Sequence, residues 1–116
     1  VFLACCNENL DKINLDWLNK KSLCVVVCSN GYPDEFKKNI IIENLKSINL
    51  QPQDYLFHAG TSKKNGEVYA VGGRVLNFIS LSDNFNDAKM SITKNLNKLN
   101  WQGGFYRKDI GHKVIK

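Results

Sequence analysis

Arginine is scarce in this chain. Of sixteen basic residues only Arg74 and Arg107 are arginine, and the other fourteen are lysine. A chain this rich in lysine could have used it at both places. Lysine supplies a mobile point charge, whereas arginine supplies a planar fork of donors that fits a phosphate or a carboxylate. Both arginines stand beside glycine or aromatic residues, Arg74 in Gly72-Gly73-Arg74-Val75-Leu76 and Arg107 in Gly103-Gly104-Phe105-Tyr106-Arg107. At least one of them is therefore expected to hold an anionic group.

Clustered basic charge is also lacking. The formal net charge of +5 invites a nucleic-acid reading, but Lys20-Lys21, Lys37-Lys38 and Lys63-Lys64 lie in separate segments. Fifteen asparagines accompany them, which suggests a coding preference along the whole chain. An electrostatic footprint needs clustering, so no nucleic-acid partner is expected. A basic module binding through Tyr55, Phe57, Tyr69 and Phe78 is kept as an alternative, as is a scaffold domain with no ligand.

Metal-ligand spacing is missing as well. The cysteines are Cys5, Cys6, Cys24 and Cys28, with no Cys-x-x-Cys pair, and the two histidines, His58 and His112, are remote. A zinc site is not expected. In a strand, Cys24 and Cys28 would be roughly 13 Å apart, beyond disulfide reach. They should share a face with Val26 as buried, reduced thiols, in keeping with a cytoplasmic location. No run is long enough to span a membrane and no signal peptide is visible, so no membrane partner is expected. No Walker loop, Gly-x-Ser-x-Gly or metal-binding carboxylate cluster occurs, and no catalytic residue or metal ligand is assigned.

What remains is a chain of 116 residues with 43% apolar content, enough for one domain with a modest core. Residues 1–11 carry Phe2, Leu3, Cys6 and Leu10 at helical spacing. The valine-rich run from Ser22 to Ser29 reads as a buried strand, and Asn30-Gly31-Tyr32-Pro33 as a turn. Ile40-Ile41-Ile42 suits a short strand. Tyr55 to Ala59, Glu67 to Val71 and Arg74 to Leu81 read as strands, with Asn65-Gly66 as a hairpin turn. A helix is predicted from Phe85 to Leu99, capped by Asn84, with Phe85, Ala88, Ile92, Leu96 and Leu99 as its apolar stripe. A short final helix could start at Lys108. The order describes an α+β domain, mostly antiparallel, with a compact sheet or partial barrel and flanking helices.

Two segments could carry chemistry. His58-Ala59-Gly60-Thr61 ends one strand and Gly72-Gly73-Arg74 begins another, so both should meet at one end of the sheet. Glycines let an anion approach backbone N–H groups, and Thr61, His58 and Arg74 add side-chain donors. Gly60, Thr61, His58, Gly72, Gly73 and Arg74 are the candidate substrate-binding set. The glycines could equally form a bulge, and Arg74 could pair with a carboxylate. Arg107 and Asp109, two residues apart, can pair with each other and are read as structural.

Trp17, Gly31-Tyr32-Pro33 with Phe36-Lys37-Lys38, Phe57-His58-Ala59-Gly60-Thr61, Gly72-Gly73-Arg74-Val75-Leu76, the helix near Ala88 and Phe105-Tyr106-Arg107-Lys108-Asp109-Ile110-Gly111 occur in an order and spacing that resemble the C-terminal domain of phosphoribosylamine–glycine ligase, in the ATP-grasp family. The likeness covers nearly the whole chain. Asn39 and Ser82 stand where that family usually has glycine, and Cys28 where it has a smaller residue. The resemblance implies a fold like the biotin carboxylase C-terminal domain, a barrel-like hybrid motif. It implies an enzyme of purine synthesis that joins glycine to 5-phosphoribosylamine through an acyl phosphate, using ATP and Mg²⁺. In the family those cofactors are held by an upstream ATP-grasp module. Residues 1–116 are thus expected to be a C-terminal domain whose partners are the remaining modules and the substrates phosphoribosylamine and glycine. No Met-Lys-Met tripeptide marks a biotin carrier. The opening Val1-Phe2-Leu3-Ala4-Cys5-Cys6 reads like the inside of a helix, so a piece of a longer chain, inactive by itself, is expected.

Overall fold

The computed structural model describes residues 1–115. Its main sheet has four strands in the order β3 (Asp54–His58), β6 (Arg74–Ser82), β1 (Lys21–Ser29) and β7 (Gly104–Tyr106). All neighbours are antiparallel. A second sheet orders β2 (Ile40–Ile41), β5 (Glu67–Ala70) and β4 (Thr61–Lys64). The α+β, antiparallel expectation holds. The barrel does not close, because among the described residues both sheets stay open. Each has short edge strands, β7 of three residues and β2 of two, too short to carry pairing around a closed ring.

The two sheets are one long hairpin bent in the middle. β3 pairs with β6 and, beyond the bend, β4 pairs with β5. The turn between β4 and β5 is Asn65-Gly66, with φ of 51° and 80°. Positive φ at both central residues is what a type I′ hairpin turn requires, and it explains that dipeptide.

The helix α2 runs over Phe85–Leu99, as the spacing predicts. Asn84 caps it, its side-chain oxygen accepting from the Asp87 N–H at 2.9 Å. Ala88, Ile92, Leu96 and Leu99 are buried against Leu23, Val25 and Val27 of β1 and Leu76 and Phe78 of β6. Trp101 follows α2 and is also buried, its indole N–H donating to the Ile41 carbonyl at 2.8 Å. Periodicity did not reveal a polar cluster beneath the helix. Asp54 is buried and accepts from the Ser91 hydroxyl at 2.6 Å and the Asn95 amide at 3.3 Å. Such a carboxylate is tolerable under a core because it has partners.

Several expectations need correction. Residues 1–11 are not one helix. α1 covers Phe2–Cys6, a 3-10 turn covers Leu10–Lys12, and Glu8 between them has φ 52°. Phe2, Leu3 and Leu10 are exposed and only Ala4 is buried, so the apolar stripe has no described surface to cover. Cys24 is exposed and Cys28 half-buried. They do share the outward face of β1, while Leu23, Val25, Val27 and Ser29 face the core. Partial desolvation still pushes the Cys24 thiol pKa up. The tail from Lys108 forms turns without a helix. Phe78 is buried in the core, which removes it from the alternative aromatic binding surface. No helix among the described residues is long and apolar enough to cross a membrane.

Candidate functional site

The bend of the long hairpin brings the two expected segments together. Past β3, the Gly60 N–H donates to the Arg74 carbonyl at 2.9 Å, and the Gly72 N–H donates to the Gly60 carbonyl at 3.1 Å. A Cβ on Gly60 would lie 2.6 Å from the Gly72 Cα and 2.7 Å from the Arg74 carbonyl oxygen. Two backbones cross here at a distance that side chains forbid. The amides of Gly60 and Gly72 are thereby committed to the chain itself. The Gly73 N–H has no backbone acceptor among the described residues.

Gly60→Ala is accordingly expected to destabilise the fold by about 1–3 kcal/mol, the usual range for forced overpacking. Thermal unfolding checks it, and a variant as stable as the parent would mean that the crossing can spread freely.

Arg74 owes its direction to a register slip. Val27 pairs with Leu76 and Cys28 pairs with Arg74, leaving Val75 as an extra residue on β6. Bulges of this kind re-aim side chains. Val75 and Leu76 are both fully buried, and Arg74 falls on the outer face of the sheet beside Val26 and Asn77. Its guanidinium is exposed and makes no hydrogen bond or ion pair among the described residues. It lies near enough to Cys28 to draw that thiol's pKa down, although burial outweighs this and the net shift is upward.

The loop after β1 packs onto the same place. Ser29, buried at the end of β1, donates its N–H to the Gly73 carbonyl and its hydroxyl to the Gly72 carbonyl, each at 2.8 Å. The chain then turns through Gly31 and a cis Tyr32–Pro33 bond. A Cβ on Gly73 would sit 2.2 Å from the Tyr32 ring and 3.2 Å from the Phe36 ring. The two rings meet edge to face at 6.4 Å. An open cavity of about 570 Å³ results, lined by Val26, Tyr32, Phe36, Ala59, Gly60, Gly73, Arg74 and Asn77. Its lining contains one cation and no carboxylate, so it suits an anion. Ser29, Tyr32, Phe36 and Asn77 were not picked out as site residues. Tyr32 and Pro33 read only as a turn, and the pairing that brings the four here is non-local.

His58 and Thr61 turn toward each other, with Nδ1 and Oγ1 3.0 Å apart. They do not line the cavity. Arg107 spreads its fork over Asp109, Nε donating to one carboxylate oxygen at 2.9 Å and Nη2 to the other. The pair is exposed, and Arg107 lines a different groove, with Lys89 and Tyr106. Arg107 holds the Asp109 carboxyl below the usual carboxylate range. Asn39 has φ 60°, a left-handed backbone that asparagine tolerates and glycine favours, so the departure there preserves local geometry. Among the described residues, no group of three His, Cys, Asp or Glu side chains could hold a metal ion.

Comparisons with known proteins bear on the family and the fold. The family model described as "Phosphoribosylglycinamide synthetase, C domain" matches residues 22–113. The phosphoribosylamine–glycine ligase, chloroplastic, of Arabidopsis thaliana is 37% identical over 118 residues, covering 100% of this chain and 22% of its own length. The phosphoribosylamine–glycine ligase of Synechocystis is 35% identical over 116 residues, covering 99% and 27%. The crystal structure of phosphoribosylamine–glycine ligase from Thermotoga maritima superposes with a TM-score of 0.69 at 25% identity, over 94% of this chain and 27% of that one. The chain thus spans about a quarter of the length of these relatives.

Proposed function

Because the chain belongs to the phosphoribosylglycinamide synthetase C-domain family, we propose that it serves as the C-terminal domain of a phosphoribosylamine–glycine ligase and holds the phosphate of phosphoribosylamine. The reaction in question joins glycine to phosphoribosylamine, with ATP cleavage, in purine synthesis. The domain closes one side of the cleft and has no activity by itself. ATP and Mg²⁺ are assigned to the catalytic module, as the family likeness implies.

The observation that carries this reading is the Arg74 guanidinium, unpaired among the described residues, in a cavity whose lining holds no other charge. A phosphate there accepts the two-pronged donation of the guanidinium, and the free Gly73 N–H and the Asn77 amide add donors. Gly60 and Gly72 contribute shape, because their close crossing fixes the backbone that aims Arg74. His58 and Thr61, joined to each other, lie outside the cavity lining and are given no direct contact with the phosphate.

Gripping the phosphate puts the binding contact far from the reacting amine. Such remote binding energy fixes the nucleophile's position and lowers the entropic part of the barrier. The test is the Michaelis constant for phosphoribosylamine in the full-length enzyme carrying Arg74→Lys.

A further inference from the structure

We infer that the groove between helix α2 and the segment from β7 to Ile110 binds a nucleoside monophosphate, with the base against Trp101 and the phosphate at Lys108. Strand β1 separates this groove from the Arg74 cavity. Val26 lines the cavity on the outer face, whereas its neighbours Val25 and Val27, on the core face, line the groove. The groove is therefore a second site, and it stands whether or not Arg74 grips a phosphate.

The groove has two halves, of about 300 and 330 Å³, that share Leu96, Asn97, Tyr106 and Lys108. Each reaches the lower end of the range for small-molecule sites, roughly 300–1,000 Å³. One half is cationic. Lys89, Arg107 and Lys108 line it, and its lining holds no carboxylate. Two of these charges are engaged by the protein. Lys89 Nζ donates to the Lys108 carbonyl at 2.8 Å and to the Ile110 carbonyl at 2.9 Å, which holds the tail against α2. Arg107 is paired with Asp109, the carboxylate beside the groove. The Lys108 ammonium makes no ion pair among the described residues, so it is the cation left for a ligand. A phosphate there gains its charge-assisted contact and the field of the other two. The hydroxyls of Thr93 and Tyr106 line the same half. Among the described residues no buried side-chain N or O lacks a partner, so any free donor on the lining is open to solvent and can be reached.

The other half is aromatic. The Trp101 ring lies so close to β7 that a Cβ on Gly104 would come within 2.3 Å of it. Its N–H is turned away to the Ile41 carbonyl, which leaves the ring carbons as an apolar surface. Asn97 and Asn100 stand on the same lining, and their amides carry both a donor and an acceptor. A flat ring with polar edges satisfies that combination. Inorganic phosphate or a sugar phosphate would fill the cationic half and leave the Trp101 half empty.

The experiment photolabels the full-length ligase with 8-azidoadenosine 5′-monophosphate and maps the label by peptide mass spectrometry. Label is expected on peptides that hold residues 93–108, where both halves of the groove lie. Uptake at the proposed ATP site of the catalytic module falls on other peptides and is read apart. Excess AMP should protect residues 93–108, and ribose 5-phosphate at the same concentration should not. Lys108→Glu should lower this label about tenfold or more, the scale of one lost charge-assisted contact. Lys108 is exposed, so the variant should unfold at the parent's temperature. Asn97→Asp, on the exposed flank of α2, should lower the label independently. No label on residues 93–108, equal label in the parent and both variants, or equal protection by ribose 5-phosphate would each overturn the inference. Arg74→Lys should leave the label unchanged, so this site and the phosphate reading fail separately.

Discussion

Arg74→Lys in the full-length enzyme is expected to raise the Michaelis constant for phosphoribosylamine about 10- to 100-fold, with the constant for glycine and the unfolding temperature nearly unchanged. The size follows from losing one charge-assisted contact, worth roughly 1.5–3 kcal/mol. Lysine keeps the charge but not the fork, so this substitution asks about geometry more than electrostatics. Stability should be spared because Arg74 is exposed and its side chain has no partner to lose among the described residues. A parent-like Michaelis constant would exclude Arg74 as the phosphate holder. A drop in stability without a kinetic effect would make it a structural residue.

The second large effect is expected in the core. Phe78 is 1% exposed, faces α2, and sits on β6 between Leu56 of β3 and Val25 of β1. Phe78→Ala removes a ring from the point where three strands and the helix meet. A loss of about 3–5 kcal/mol is expected, combining lost apolar transfer with an unfilled cavity. Urea unfolding should show it as a lower midpoint with little change in slope. A loss below about 1 kcal/mol, the usual scale of a surface change, would mean that the ring is not packed as described.

Much of this architecture could be read locally. Helix α2 announces itself by the Asn84 cap and the spacing of Ala88, Ile92, Leu96 and Leu99. The β4–β5 turn is written in Asn65-Gly66. The meeting of His58-Ala59-Gly60-Thr61 with Gly72-Gly73-Arg74 follows from hairpin geometry. What was not legible depends on partners distant in sequence. The bulge that turns Arg74 outward exists because β1 pairs out of step at Val27 and Cys28, and no pattern within Gly72 to Leu76 encodes that slip. The glycines suggested amides open to an anion, yet Gly60 and Gly72 use theirs on each other's strands. Their requirement is close approach, a property of the pair. The first residues misled for the opposite reason. Their spacing is helical, but without a covering surface Phe2, Leu3 and Leu10 stay exposed and the helix ends at Cys6.

The most direct measurement is inhibition of the full-length enzyme by ribose 5-phosphate, which offers the sugar phosphate without the reactive amine. Competition against phosphoribosylamine is expected, with an inhibition constant about tenfold or more higher in Arg74→Lys than in the parent. Equal inhibition constants in the two enzymes would contradict the account, because the guanidinium beside Gly73 would then not be what grips the phosphate.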